Sequence, residues 1–349
     1  MDKKIIVAPL NWGLGHTARC VPIIHFLIEN NYTPVIASDG NALVFLQKEF
    51  PNLKHLLLPS YHIKYGSNLK FSLFLQSPKI WKAIRKEQKI IEEFIDENSN
   101  VVGVISDNRF GVRSGKVPSV YITHQVNVFS GFTSLLTSKI HQKIIIKFDE
   151  CWIPDNDKSE FSGKLSSTKN SLNLKFIGVL SRFKKENLEE TIDVLILLSG
   201  PEPNRTLLES KLKKEFLNSD NKIVLVQGKV EEKQRKTKEN KITIYNFLLS
   251  NELQKRIHQS KMVVCRSGYS SIIDLAVLHK KVFFIPTKNQ SEQEYLATYF
   301  QQKKVAPFCA EEDFTLKKLL EIEKYKGLSS EETQLNTSLL GLFKCKRKL

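Results

Sequence analysis

Short runs of apolar residues alternate, along the first half of the chain, with stretches in which apolar positions recur every three or four residues. The runs predict strands at residues 4–10, 33–38, 53–59, 103–106, 119–123 and 176–180, and a helical period covers residues 17–30. Residues 60–77 are aromatic and basic without a regular period, which predicts a long loop. Strands alternating with helices in this way are typical of a parallel sheet covered by helices.

The same rhythm restarts after a polar stretch at residues 157–173 and a charged connector at residues 182–190. Strands are predicted at 194–198, 222–226, 242–245, 262–265 and 282–285, and helices at 251–260, 270–279 and 291–303. Residues 229–241 are charged and are expected at the surface. We therefore predict an α/β fold of two tandem, doubly wound domains, residues 1–180 and 190–328, with a cleft lined by the carboxyl ends of their strands.

Composition is that of an ordinary globular protein of about two domains, since the 349 residues are 41% hydrophobic and 26% charged. The apolar runs are too short for a membrane span or a signal peptide, and the five scattered cysteines favour reduced thiols. We therefore expect a cytoplasmic location.

The net charge of +16 is unusual and attracts polyanions. Basic residues between 62 and 89 are interleaved with aromatic and aliphatic ones, and residues 343–348 are also basic. This mixture favours peripheral binding to an anionic membrane surface on the inner face of the cell membrane, or serves solubility alone. Nucleic acid is not expected as a partner, because the basic cluster is local rather than spread along one face.

A glycine-rich loop separates the first predicted strand from the first predicted helix and contains Gly13, Gly15 and His16. Glycines let the backbone approach a ligand, and the amides and dipole of a helix N-terminus favour negative charge. An imidazole titrates near neutral pH, so His16 is a candidate proton acceptor; the alternative is that it only caps the helix.

This loop also half-matches a dinucleotide fingerprint, because Gly13 and Gly15 are followed by Ala18 and, at the end of the second strand, by Asp39. A dehydrogenase would use Asp39 for a ribose. Dehydrogenase activity is therefore one hypothesis for this chain.

Two clusters of small and polar residues follow predicted strands in the second half and suit phosphate or ribose groups. The first lies at residues 198–206 and includes Ser199, Gly200 and Arg205. The second lies at residues 265–271, with a carboxylate one turn into the next helix, and comprises Arg266, Ser267, Gly268, Ser270 and Asp274.

A third cluster, at residues 286–295, places acids and amides at another helix start. Glu292, Gln293 and Glu294 offer acceptors for sugar hydroxyls. The alternative is a capping box that runs from Ser291 to Glu294.

Together, these clusters and the glycine loop resemble the family 28 glycosyltransferases of the GT-B fold, whose best-known members complete the peptidoglycan precursor lipid II or build plant galactolipids. The resemblance implies two Rossmann-like domains, an N-terminal acceptor domain and a C-terminal nucleotide-sugar domain, and a C-terminal helix at 329–349 that packs back on the first. It also implies a UDP-sugar donor and a hydroxyl acceptor on a lipid-linked or cell-envelope glycan.

The resemblance further implies roles for individual residues on the donor side. Asp274 corresponds to the ribose carboxylate, Gln293 and Glu294 to the sugar-contacting pair, and Leu248 to the residue whose backbone reads the base. The phosphate loop corresponds to residues 199–205, where Pro201 and Pro203 replace the glycine-rich pattern of the family.

On the acceptor side, His124 and Gln125 lie in a stretch that resembles the His-Glu-Gln-Asn sequence of the family, without its glutamate. Asp107 and Arg109, at a neighbouring strand end, offer a carboxylate and a guanidinium to the same cleft, or form an ordinary turn.

We expect an inverting transfer in which His16 is the base, with Asp107 as second candidate. No metal cofactor is expected, because residues 155–157 match an Asp-x-Asp metal motif only superficially and suit a turn. A sugar-nucleotide epimerase or hydrolase on the same fold, and a polyanion-binding protein, are competing hypotheses.

Overall fold

The computed structural model describes residues 2–61, 69–129, 133–167, 172–331 and 334–344, apart from the side chains of 69–77. Contacts divide the chain into two compact units. The first unit comprises Met1–Asn11, Cys20–Gly178 and Gln334–Leu349, and the second comprises Trp12–Arg19 and Val179–Thr333. The glycine loop is therefore part of the second unit.

A seven-stranded parallel sheet in the order β3-β2-β1-β4-β5-β6-β7 forms the first unit. Its strands are apolar and mostly buried on both faces, which a parallel sheet between helices requires. They are β1 Lys3–Pro9, β2 Tyr32–Ser38, β3 Lys54–Leu57, β4 Val101–Asp107, β5 Ser119–Ile122, β6 Glu150–Ile153 and β7 Leu174–Phe176. The helices are α1 Leu14–Glu29, which starts in the second unit, α2 Gly40–Glu49, α3 Leu69–Glu97 and α4 Ser134–Ile145.

A six-stranded sheet in the order β10-β11-β9-β8-β12-β13 forms the second unit and is parallel except for β10. The strands are β8 Ile192–Leu197, β9 Ile223–Val226, β10 Lys236–Glu239, β11 Ile242–Tyr245, β12 Ser260–Cys265 and β13 Lys281–Phe284. The helices are α5 Asn204–Phe216, α6 Ser250–His258, α7 Tyr269–Val277 and α8 Ser291–Gln302. The exposed edge strand β10 falls inside the charged stretch 229–241, and its charges protect the sheet edge.

The prediction of a loop over residues 60–77 is wrong from Leu69 onward, because α3 begins there and contains Pro78. The proline and the dense basic residues obscure a helical period that later buries Ala83, Ile91 and Phe94. The predicted strand 176–180 also differs, since β7 ends at Phe176 and Gly178 follows with φ +84°, a conformation that strands do not adopt.

The C-terminal segment forms a 3₁₀ helix, Thr337–Phe343, whose last side chain is buried in the first unit. The Phe343 ring lies directly over Gly103 of β4, and its centroid is 6.3 Å from that of Trp152 in a T-shaped pair. A side chain at position 103 would occupy the volume of the ring.

We expect Phe343→Ala to lower the free energy of unfolding by about 3–5 kcal/mol, the usual cost of removing a buried aromatic ring. Gly103→Ala should cost about 1–3 kcal/mol through overpacking. The two variants combined should cost less than their sum, since the methyl group of one fills space vacated by the other. Urea denaturation measures all three, and strict additivity would show that the segment does not pack on β4.

Candidate functional site

Three polar loops meet at one edge of the sheet in the second unit. β8, β12 and β13 are adjacent and parallel, so the loops that follow them leave the sheet at the same edge. The Ser267 hydroxyl donates to the carbonyl of Gln293 at 2.7 Å, and Arg266 Nη2 donates to the carbonyl of Asn204 at 3.1 Å. The structure thus brings together the three polar clusters predicted from the sequence.

Arg266 holds these loops together and does not face a ligand. Its side chain is 1% exposed and donates to the carbonyls of Ile285 and Pro286, and it forms an ion pair with Glu311 at 2.8 Å. Burial lowers the pKa of Arg266, and Glu311 opposes that shift. The prediction that Arg266 binds the donor therefore does not fit the structure, and the buried Ser267 hydroxyl is likewise used inside the protein.

The loop after β8 has open space beside Gly200, whose φ is +94°. Arg205 in the same loop is held by its neighbours, because its guanidinium donates to Glu202 at 2.6 Å and to the carbonyl of Gly228 at 2.9 Å. Although partial burial opposes it, the hydrogen bonds from Arg205 and Thr206 lower the pKa of Glu202. The charge of Arg205 is thus balanced within the loop, and backbone groups near Gly200 are better placed for a phosphate.

Gly268 is the N-cap of α7, and the space beside it is also open. Ser270, in the first turn of α7, donates through Oγ to the carbonyl of Gly15 at 2.9 Å. The glycine loop therefore lies against the start of α7 inside the second unit. Gly13 has φ +73° with open space around it.

His16 follows in the first turn of α1 and contacts Arg19. Arg19 Nη2 lies 2.8 Å from His16 Nδ1, and because a guanidinium only donates, Nδ1 is the acceptor. A neutral ring in this arrangement carries its proton on Nε2. To act as a base through Nε2, the ring must carry its proton on Nδ1 instead. That requires the contact between Nδ1 and Arg19 to break first.

At the start of α8, the alternative of a capping box from Ser291 to Glu294 does not hold, because Gln290 is the N-cap and its side chain accepts from the Gln293 amide. Gln293 Oε1 accepts from the Thr287 amide at 2.8 Å, and Glu294 Oε1 accepts from the Asn289 amide at 2.9 Å. The loop therefore fixes both side chains, and Gln293 Nε2 and the second oxygen of Glu294 remain for a ligand. Glu292 lies in the same turn.

Asp274 is buried on α7, with 7% of the residue exposed. The Ser181 hydroxyl donates to Oδ1 at 2.7 Å, and Arg182 Nε lies 3.4 Å from Oδ2. Burial raises the pKa of Asp274, while Arg182 and Ser181 counteract the shift. Sequence reasoning missed both partners, because they lie at the edge of a connector whose charges look like ordinary surface charge.

Leu248 follows β11 and is buried. It precedes Leu249, the N-cap of α6.

In the first unit, Arg109 lies in a buried ion-pair network. Its side chain has no exposed surface, and it donates to Asp39 at 2.5 Å, to Glu87 at 2.6 Å and to the carbonyl of Pro59 at 2.7 Å. Although burial acts against the charge, the two carboxylates raise the pKa of Arg109. The prediction that Arg109 binds the acceptor does not fit this arrangement.

The same network argues against the dinucleotide fingerprint. Asp39 accepts from Arg109 and, through its other oxygen, from Asn11 at 3.1 Å. Asp39 is therefore tied to a fully buried arginine in a structural ion-pair network of the first unit.

Asp107 is fully buried at the end of β4, so its carboxylate does not reach the surface of the protein as a base must. Asn108 Nδ2 donates to Asp107 at 3.3 Å, and Tyr121 donates to Asn108 Oδ1 at 2.8 Å. His141, which sequence reasoning missed, contacts the Tyr121 hydroxyl at 2.9 Å, and burial lowers its pKa to about 4. His141 is therefore neutral near pH 7.

The acceptor-side stretch follows β5. His124 is buried there, and the Gln125 amide donates to Thr123 Oγ1 at 3.0 Å. The structure places both residues near His141, whose surroundings include the backbone of Gln125.

Asp155, the first residue of the Asp-x-Asp sequence at 155–157, belongs to a turn. Its Oδ2 accepts from the Ser162 amide at 2.7 Å and from the Ser162 hydroxyl at 2.5 Å. These contacts use the oxygens that would otherwise face a cation.

Comparisons with known proteins agree with this architecture. Residues 202–338 match the model of the glycosyltransferase family 28 C-terminal domain. Two relatives are UDP-N-acetylglucosamine–N-acetylmuramyl-(pentapeptide) pyrophosphoryl-undecaprenol N-acetylglucosamine transferases. The one from Haemophilus ducreyi is 20% identical over 70% of this chain and 68% of its own length. The one from Finegoldia magna is 22% identical over 74% of this chain and 71% of its own length.

Solved structures show the same fold. The glycosyltransferase of kitacinnamycin superposes with a TM-score of 0.61 at 12% identity, over 98% of this chain and 93% of its own. MurG of Acinetobacter baumannii superposes with a TM-score of 0.55 at 11% identity, over 98% of this chain and 99% of its own. The chain is therefore a glycosyltransferase of the GT-B fold that carries a family 28 C-terminal domain.

Proposed function

We propose that this enzyme transfers a sugar, with inversion, from a UDP-sugar to a hydroxyl group of a lipid-linked acceptor. The observation that carries the proposal is the meeting of three polar loops at one sheet edge within the matched family 28 domain. The names of the relatives support a UDP-sugar donor and a pyrophosphoryl-undecaprenol acceptor. These relatives are transferases, which favours transfer over epimerase or hydrolase chemistry.

On the donor side, the diphosphate would approach the backbone at Gly200 and Gly268, where space is open. The amides at the start of α7 would stabilise the negative charge of the departing UDP. Gln293 Nε2 would donate to a sugar hydroxyl, and the second carboxylate oxygen of Glu294 would accept from one. The backbone of Leu248 would read the base.

His16 remains the proposed catalytic residue, because its loop is tied to α7 by the contact between Gly15 and Ser270. As a base it would remove the proton of the acceptor hydroxyl as that oxygen attacks the anomeric carbon and UDP leaves. His124 and Gln125 are proposed to contact the acceptor. Asp107 is buried and is not proposed as the base.

A panel of nucleotide sugars, scored by thermal shift, tests the donor. A ligand at 100 times its dissociation constant stabilises a protein by about 2.7 kcal/mol, so UDP and one UDP-sugar should raise the melting temperature measurably. Stabilisation by NADH alone would support a dehydrogenase, and stabilisation by RNA alone, lost at high salt, would support a polyanion-binding protein.

We also propose that transfer needs no metal, since amides and helix N-termini supply the charge stabilisation. Full activity is expected in excess chelator. Loss of activity in the chelator, restored by manganese, would contradict this proposal.

We further propose that the first unit binds an anionic membrane surface through α4. Four apolar side chains of this helix and its C-cap are exposed, namely Leu135 (81%), Leu136 (62%), Ile140 and Ile146. The helix carries Lys139 and Lys143 and no acidic residue, so its charge complements anionic lipid. Within the described residues, no helix is long and apolar enough to cross a bilayer. A peripheral place on the cytoplasmic face is consistent with this surface.

The sequence suggests residues 62–89 and 343–348 for the same membrane contact. Of these, residues 62–77 and 345–348 lie outside the described side chains, and in the described remainder Trp81 is half exposed.

Replacing both Leu135 and Leu136 by glutamate should reduce binding to phosphatidylglycerol-containing vesicles at least about tenfold, because each exposed leucine contributes apolar burial in the interface. Vesicle sedimentation at low salt measures the effect. The matched control is Leu320→Glu, at a leucine that is 75% exposed in the second unit. Failure of the unmodified enzyme to bind these vesicles, or equal effects of both variants, would contradict the membrane surface.

A further inference from the structure

The residues that begin the longer segment of the second unit are anchored to the α7 carboxylate. This segment starts at Val179, and two positions later the Ser181 hydroxyl donates to Asp274 Oδ1 at 2.7 Å. Arg182 Nε lies 3.4 Å from Oδ2, and both charged side chains are about nine-tenths buried. The Arg182 backbone amide also interacts favourably with this carboxylate.

Arg182 also reaches the start of α6. Its Nη1 donates to Ser250 Oγ at 3.4 Å, and its guanidinium carbon lies 4.8 Å from the centre of the Phe183 ring. Ser250 is two residues beyond Leu248. One side chain thus contacts both the element proposed to hold the ribose and the element proposed to read the base.

The buried Asp274 carboxylate needs Ser181 and Arg182 to stay ionised and to keep one orientation. Burial favours the protonated form, and an adjacent cation favours the charged form. An ionised carboxylate has about four lone-pair positions, so the Ser181 hydroxyl, the Arg182 guanidinium and the Arg182 amide leave room for one further donor. A hydroxyl of the ribose diol supplies such a donor.

We propose that Ser181 and Arg182 are positioning residues that hold Asp274 for the ribose diol and so make the enzyme selective for ribonucleotides. This inference rests on the proposed UDP-sugar donor. Neither residue touches the reacting atoms, and both act through Asp274.

Calorimetric titration with UDP and with 2′,3′-dideoxyuridine diphosphate tests the proposal. The unmodified enzyme should bind UDP about tenfold or more tightly than the dideoxy compound, since the latter lacks the diol. Arg182→Ala should weaken UDP binding and bring the ratio close to one, with little effect on the dideoxy compound. Arg182→Lys, which keeps the charge, should restore part of the ratio.

Two further variants control the experiment. Arg256 lies in the last turn of α6 and packs on the Tyr245 ring. Arg256→Ala therefore removes another arginine of the second unit, and it should leave the ratio of the two affinities unchanged. Ser181→Ala removes only one hydrogen bond, so it should fold even where Arg182→Ala does not, and it should lower the ratio.

The experiment distinguishes an error in the proposed donor from an error in the proposed positioning role. Absence of UDP binding to the unmodified enzyme would overturn the proposed donor, and this inference with it. UDP binding without selectivity over the dideoxy compound would overturn the inference alone. Equal weakening of both ligands in Arg182→Ala, or in Ser181→Ala, would show a merely structural role and would also overturn it.

Discussion

Replacing His16 by alanine is expected to lower kcat by about 10²–10⁴-fold, the usual contribution of a positioned proton acceptor. The dissociation constant for UDP should change little, because the glycine loop keeps its contact with Ser270 through the Gly15 carbonyl, which the substitution leaves in place. Product formation at saturating substrates measures kcat, and calorimetry measures UDP binding. Unchanged turnover would remove His16 from the mechanism.

Arg19→Met distinguishes the two roles open to His16. Arg19 donates to Nδ1 and so keeps the proton of a neutral ring on Nε2. If His16 is the base, removing this contact frees Nδ1 to hold a proton and kcat is maintained or rises. If His16 instead donates a hydrogen bond from Nε2, loss of the fixed tautomer lowers kcat. We expect the first result.

Replacing Arg109 by alanine is expected to lower the free energy of unfolding by about 3–5 kcal/mol, because it leaves two buried carboxylates without their cation. Asp39 and Glu87 both lose a direct partner, and Tyr61, which donates to Glu87 at 2.7 Å, loses the guanidinium over its ring. Urea denaturation of the unliganded protein measures the change.

The control for this prediction is Lys241→Ala, which removes the cation of a solvent-exposed pair with Asp220 and should leave stability within experimental error. A variant of Arg109 with unchanged stability but impaired acceptor binding would contradict the structural role and restore the role predicted from the sequence.

The positions of most strands follow from a pattern that the sequence displays directly. Parallel strands buried on both faces are continuous apolar runs, and 4–10 or 262–265 can be recognised without tertiary information. Helix α3 was missed because Pro78 and closely spaced lysines interrupt the helical period, and only packing on the unit shows which of its positions are buried.

The loops of the proposed donor site were predictable because small and polar residues recur at three predicted strand ends. The direction in which long side chains point could not be predicted from the sequence. Arg109 and Arg266 turn inward to carboxylates and carbonyls far away in sequence, and those partners are visible only in the fold. Ser181 and Arg182 were missed for the same reason, since Asp274 is more than ninety residues away.

The most direct test of sugar transfer to a lipid-linked acceptor is mass spectrometry of a single reaction mixture. The enzyme is incubated with a UDP-sugar chosen by thermal shift and with a polyprenyl-pyrophosphoryl-linked sugar as acceptor. We expect one additional sugar on the lipid acceptor for each UDP released. Release of UDP with free sugar and unmodified lipid, or conversion of the donor to an epimer without UDP release, would contradict the proposed transfer.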